Sequence, residues 1–124
     1  MSRRTAQRSA IRDVVEDASR PLTAAEIHES ATARVPGIGL ATVYRNVSRL
    51  VDEGVLVEVP LPDEPMRYEA EGLDHHHHFR CRACGRVFDV PGCAGAIAGL
   101  APAGFVVEQH EILLVGLCAD CAAA

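Results

Sequence analysis

DHHHHFRCRAC, residues 74–84, sets four unbroken histidines just ahead of a Cys-x-x-Cys pair. The run lies in mid-chain, where an expression tag would not sit. Flanked by turn residues, HHHHFRC reads as a strand that enters a metal knuckle. Side chains alternate across a strand. His75 and His77 are therefore expected on one face, and His76 and His78 on the other. Four successive imidazoles arranged this way can serve two metal ions, one on each side.

The knuckle needs a second half. Cys118 and Cys121 form another Cys-x-x-Cys, and two such pairs can close a four-cysteine structural zinc site. A redox role needs one pair, not two. The 33 residues between the pairs must hold secondary structure that brings them together. GRVFDV reads as a strand that ends at Pro91-Gly92, and AGAIAGLA as a short helix. FVVEQHEILLVGLC reads as a long alternating strand region carrying His110. Cys93 and His110 are candidate partners for one histidine pair, and Glu58, Glu69 and Glu71 for the other. A lone Cys such as Cys93 is also often a small buried hydrophobe.

Upstream, the pattern is helical. Ile11, Val14, Val15 and Ala18 lie on one face of a helix expected over Ala6–Ala18. Thr23 with Glu26 forms a capping box, and Leu22 with Ile27 a hydrophobic staple. A second helix is expected from there to about Arg34. A third runs from about Leu40 to Glu53 and stops at Gly54. On it Leu40, Val43, Val47, Leu50 and Val51 share one arc, while Thr42, Arg45, Asn46 and Arg49 share the opposite one, with Tyr44 at the margin. Arg can read guanine and Asn adenine in a major groove. VLVEV, the turn PLPDEP and MRYEA then form a hairpin. Three helices and a hairpin make a winged helix-turn-helix. Arg3, Arg4 and Arg8 form a basic arm that could reach phosphates or a minor groove.

Composition divides the chain the same way. It has 124 residues, net charge −5, 48% hydrophobic but only 4% aromatic residues, and no Trp. The core is expected to be modest and to need a staple such as a structural metal. Residues 1–57 carry +1 and residues 58–124 carry −6, and every basic residue is Arg. Two modules are expected: a winged-helix DNA-binding domain over 1–70 and a metal-binding dimerisation domain over 71–124. No apolar run is long enough to span a membrane, and no secretory signal is seen, so the expected location is cytoplasmic. Thiols stay reduced there. No nucleophile–base pair or Gly-rich phosphate loop supports a zinc-dependent redox or hydrolytic enzyme.

TAQR at 5–8, TAAEIH at 23–28, ATVYRNVSRL at 41–50, HHHHFRCRACG at 75–85 and HEILLVGLCADC at 110–121 together resemble the ferric uptake regulator family. The unbroken histidine run looks most like its zinc uptake regulator branch. The resemblance implies an α+β fold, with an N-terminal winged helix followed by a small α/β dimerisation domain holding a four-cysteine zinc site. It implies a homodimeric, metal-dependent repressor that binds double-stranded operator DNA, an AT-rich inverted repeat. Arg3, Arg8, Thr42, Tyr44, Arg45 and Arg49 are the DNA contacts expected. By family pattern Cys81, Cys84, Cys118 and Cys121 hold structural Zn2+. His76 and His78, with Glu69 and Glu71, form a hinge sensing site. His75, His77, His110 and Cys93 form a third site. Two departures stand out. Pro21 occupies the position where iron and peroxide sensors supply a histidine, and Cys93 falls where a carboxylate is usual. Thiolate and imidazole suit zinc, whereas carboxylate-rich sites suit Fe2+ or Mn2+. Zinc is the sensed metal expected, with an iron- or peroxide-responsive regulator as the alternative.

Overall fold

The computed structural model describes residues 2–92 and 96–124, and the chain divides into two units, Met1–Gly72 and Leu73–Ala124. The first unit opens with α1 (Arg3–Ala18), which buries Ala10, Ile11, Val14 and Val15. The helix starts earlier than its apolar period indicates, because Ser2 caps it by accepting the Thr5 N–H at 3.1 Å. Arg3 and Arg4 therefore form the first helical turn rather than a basic arm. That turn has no acidic residue, although a helix N-terminus favours anions over cations.

After the left-handed Ser19, the short strand β1 (Leu22–Thr23) leads into α2 (Ala24–Ala31). The capping box is formed in both directions. The Glu26 N–H donates to Thr23 Oγ1 at 3.1 Å, and the Thr23 N–H donates to Glu26 Oε1 at 3.0 Å. Leu22 and Ile27, the staple pair, both belong to the core. α2 stops at Ala31, short of Arg34. His28 Nε2–H reaches back to the Ile38 carbonyl at 2.8 Å and fastens the loop that follows.

α3 (Leu40–Asp52) buries Val43, Val47 and Leu50. Gly54, at φ +76°, ends it. The Gly54 N–H meets the Val51 carbonyl and the Val55 N–H meets the Leu50 carbonyl, the paired bonds of a Schellman motif. The wing is β2 (Leu56–Val59) against β3 (Arg67–Ala70), antiparallel, with Glu58 opposite Tyr68. β1 adds a third strand on the far side of β3, giving the order β1-β3-β2. Two residues were too few to register as a strand in the sequence. They pair because the core draws Leu22 inward beside Tyr68.

The second unit is a sheet in the order β5-β4-β6. β4 (His76–Cys81) pairs antiparallel with β5 (Val87–Pro91) and parallel with β6 (Leu113–Gly116). A 3-10 turn over Ala96–Leu100 takes the place of the expected short α-helix, and α4 (Ala119–Ala123) closes the unit. The long strand expected over FVVEQHEILLVGLC is only four residues of β6. Phe105 and Val106 upstream are 70% and 85% exposed, so their alternation finds no surface within one chain to pack on. Among the described residues of this unit only His77, Cys81 and Val87 are buried. No described helix is long and apolar enough to cross a membrane.

Burial pushes the Glu26 carboxyl up, but the Thr23 N–H, Arg20 and Arg67 outweigh it and hold the group below the ordinary carboxylate range. Its contribution to stability is complete above the unfolded-chain value and fades as pH falls through the lowered one. Thr23→Ala is expected to destabilise the first unit by about 1 kcal/mol. The readout is the urea midpoint; in Glu26→Gln the same readout should lose the part of its pH dependence that the Glu26 carboxylate supplies.

Candidate metal centres and nucleic-acid interface

Cys81 ends β4, and a tight turn follows in which the Gly85 N–H meets the Cys81 carbonyl at 2.9 Å. The Cys84 N–H points at Cys81 Sγ, 3.5 Å away. Cys118 precedes α4 and Cys121 lies within its first turn, closed by the Ala122 N–H on the Cys118 carbonyl at 2.8 Å. The Arg82 N–H bonds the Gly116 carbonyl at 2.8 Å and ties the first knuckle to the strand that feeds the second. All four sulfurs lie within 4.8 Å of one another, and Cys84 Sγ is 3.9 Å from Cys118 Sγ. Zn–S bonds of ~2.3 Å in a tetrahedron put sulfurs ~3.8 Å apart. The sulfur set fits zinc. Backbone N–H groups of Cys118 and then Cys84 draw the Cys81 thiol down, while sulfur neighbours, Cys118 first, push the Cys121 thiol up. Four thiolates share this volume as anions only with a cation among them.

The histidine run splits across β4. On one face, His75 Nε2 lies 3.1 Å from His77 Nε2, and the His110 ring is 5.0 Å and 5.1 Å from the rings of His75 and His77. The ligand atoms of these three lie within 4.8 Å of one another. The Ile112 N–H donates to His77 Nδ1 at 3.0 Å, which orients the buried ring. Burial, then the imidazoles of His75 and His110, hold His77 below the ordinary histidine range. Cys93, the fourth residue expected here, lies outside the described residues.

On the other face, the rings of His76 and His78 are 4.9 Å apart. Asp89 joins them from β5, opposite His78 in register. His76 Nδ1–H donates to the Asp74 carbonyl at 2.7 Å. In the neutral ring this leaves the Nε2 lone pair for a ligand, the usual backing of a metal-bound histidine. Nε2 of His76 and Nε2 of His78 each stand 3.5 Å from Asp89 Oδ1. That is long for a charge-assisted hydrogen bond, but matches the ~3.3–3.6 Å between neighbouring N and O ligands of a tetrahedral ion. Asp89 was not foreseen as a ligand. Counting the hairpin register back through the knuckle turn from HHHHFRC to GRVFDV would have found it. Of the carboxylates expected, Glu69 lies on β3 opposite Val57, and Glu71 follows β3, its N–H on the Val55 carbonyl. Glu58 is on β2, opposite Tyr68.

In the first unit, Thr42, Arg45, Asn46 and Arg49 line the outer face of α3 and share a cleft of about 180 Å³ with Arg4 and Gln7 of α1. Arg45 Nη2 donates to Thr42 Oγ1 at 3.0 Å, and Asn46 Nδ2 donates to the Thr42 carbonyl at 2.9 Å. Tyr44 is half exposed. Arg8, expected as a DNA contact, forms a partly exposed ion pair with Glu53. It points at the C-terminal end of α3 because it lies one turn further along α1 than Arg4. Arg4 and Gln7 on that helix border the cleft.

The chain matches the model of the Ferric uptake regulator family over residues 2–114. It is 33% identical over 105 residues to the Ferric uptake regulation protein of Bordetella parapertussis, spanning 82% of this chain and 76% of the relative. It is 30% identical over 121 residues to the Peroxide operon regulator of Bacillus subtilis, spanning 94% and 82%. The crystal structure of FurB from M. tuberculosis, a zinc uptake regulator, superposes with a TM-score of 0.54 at 32% identity, over 96% of this chain and 95% of that one. A winged-helix unit, a four-sulfur cluster and the family match agree: the chain belongs to the ferric uptake regulator family of metal-responsive, DNA-binding transcriptional regulators, which are not enzymes.

Proposed function

We propose that this protein is a zinc-responsive repressor in which metal binding at the histidine run sets the affinity of α3 for operator DNA. The observation that carries this reading is that ligand atoms of His76, His78 and Asp89 lie within 4.8 Å of one another, with His76 backed by the Asp74 carbonyl. Glu69, or Glu71 in its place, supplies the remaining carboxylate by the family pattern. When bound, the metal supplies a fixed positive charge that joins these ligands. His75, His77 and His110 hold a second regulatory ion, with Cys93 as its fourth ligand. Cys81, Cys84, Cys118 and Cys121 hold a structural zinc.

Zinc is favoured by Pro21 where iron and peroxide sensors supply histidine, by Cys93 where a carboxylate is usual, and by the likeness to a zinc uptake regulator. Asp89 favours the second reading, an iron- or peroxide-responsive regulator. It makes the His76–His78 site richer in oxygen ligands, and oxygen suits Fe2+ and Mn2+ better than thiolate does. Operator affinity titrated separately with Zn2+, Fe2+ and Mn2+ decides between them. The protein should act as a homodimer on an AT-rich inverted repeat.

Cys81→Ser is expected to lose one tightly held zinc per chain and to run as a monomer with an unfolded second unit. Binding energy at a structural site is folding energy. Elemental analysis with size-exclusion chromatography reads both, and a folded, zinc-free dimer would overturn the assignment.

The paired variants separate the two faces of β4. His76→Ala with His78→Ala should remove one metal and the metal-dependence of operator binding, a coupling of about 5–150-fold. His75→Ala with His77→Ala should remove a different metal and weaken operator affinity less. Metal stoichiometry beside operator affinity is the measurement. Loss of both metals from either double variant would mean one shared cluster.

A further inference from the structure

The arginines of the first unit divide sharply by partner. Arg8 pairs with Glu53, Arg12 with Glu16, Arg20 with Glu26, Arg34 with Asp13 and Asp17, and Arg67 with Glu64. Arg3, Arg4, Arg45 and Arg49 have no carboxylate partner among the described residues. The last three, from two different helices, meet at the cleft of about 180 Å³ that Gln7, Thr42 and Asn46 complete. No acidic side chain lines it. Three guanidiniums and two carboxamides around a small, open, acid-free cleft make a site for an oxyanion, because a guanidinium fork matches phosphate oxygens.

The wing strengthens the case by what it lacks. Its turn, PLPDEP over 60–65, carries Asp63 and Glu64 and no base. An acidic tip repels the phosphate backbone, so the grip that positions α3 must come from elsewhere in the unit. The first turn of α1 is where the spare positive charge lies. Arg4 sits there despite the unfavourable helix dipole, and no acidic residue offsets it.

We propose that the α1–α3 cleft binds a backbone phosphate of the operator, with Arg4 and Gln7 as positioning contacts that fix the register of α3 in the groove. The proposal rests on α3 being the reading helix. Arg4 supplies charge to the phosphodiester, and Gln7 supplies a neutral amide donor. Arg45 and Arg49 border the same cleft and remain long enough to reach base edges.

The test uses the full-length, metal-loaded protein with operator DNA and with a scrambled duplex, across a salt series. Arg4→Gln should weaken binding to both duplexes and flatten the log–log salt slope by about 0.9 for each protomer bound. Arg4→Lys, which keeps the charge, should restore the slope. Gln7→Ala should weaken binding without changing it. Arg45→Ala should abolish preference for the operator over the scrambled duplex. Unchanged thermal midpoints for Arg4→Gln and Gln7→Ala would exclude a folding effect. A wild-type slope for Arg4→Gln, with operator preference lost in Arg45→Ala, overturns the cleft proposal alone. Operator preference retained in Arg45→Ala overturns the reading-helix assignment and the proposal with it.

Discussion

Four sulfurs within 4.8 Å are the constraint on which the second unit depends. Among its described residues, residues 73–124 bury only His77, Cys81 and Val87. So little burial cannot offset the conformational entropy of fifty-odd residues. One of the three is itself a cysteine of the cluster and another a histidine of the run. The unit is thus organised about its cysteine cluster and histidine run rather than about an apolar centre. Stapling Cys81 to Cys118 and Cys121 would hold the end of β4 against the end of β6, and this pairing sets the histidine geometry upstream.

The same strand serves two purposes. β4 ends in a sulfur knuckle and begins in the histidine run, so whatever fixes Cys81 also fixes the orientation of His76, His77 and His78. Pleating sends His77 inward, where Ile112 orients it, and sends His76 and His78 toward Asp89. A shift of one residue in register between β4 and β5 would take Asp89 away from His78 and exchange the faces of the sheet. The conformation of the knuckle turn between the two strands excludes that slip.

The first unit is built differently. Its core of Ile11, Val14, Val15, Ile27, Val43, Val47, Leu50 and Leu56 is apolar and continuous. Charge is organised on its surface. Most arginines are neutralised by acids on the same or a neighbouring element, and such exposed pairs contribute little to stability. Their effect is to leave a small group of cations unpaired on one face. Net charge says almost nothing about a nucleic-acid interface here; the distribution of ion partners says much more.

The sequence by itself determined the existence of the three helices of the first unit, the Thr23–Glu26 cap, the wing and the two cysteine pairs. These features are local: a capping box spans four residues, and a Schellman turn is announced by Gly54. The alternation of His75–His78 between two faces also follows from local chain geometry, since any strand imposes it. What the tertiary structure decided is long-range. It brought Asp89 beside His76 and His78 through strand pairing, a contact that periodicity within β4 could not show. It drew Leu22–Thr23 into the sheet through burial of Leu22. It left residues 105–112 outside regular structure, because their apolar alternation meets no surface in a single chain. It packed α1 beside α3, and so gave Arg4 and Arg8, one helical turn apart, different surroundings. Arg8 meets a carboxylate forty-five residues away, and Arg4 meets the polar face of α3. Sequence spacing fixes which side of a helix a residue occupies, but only packing fixes what that side faces.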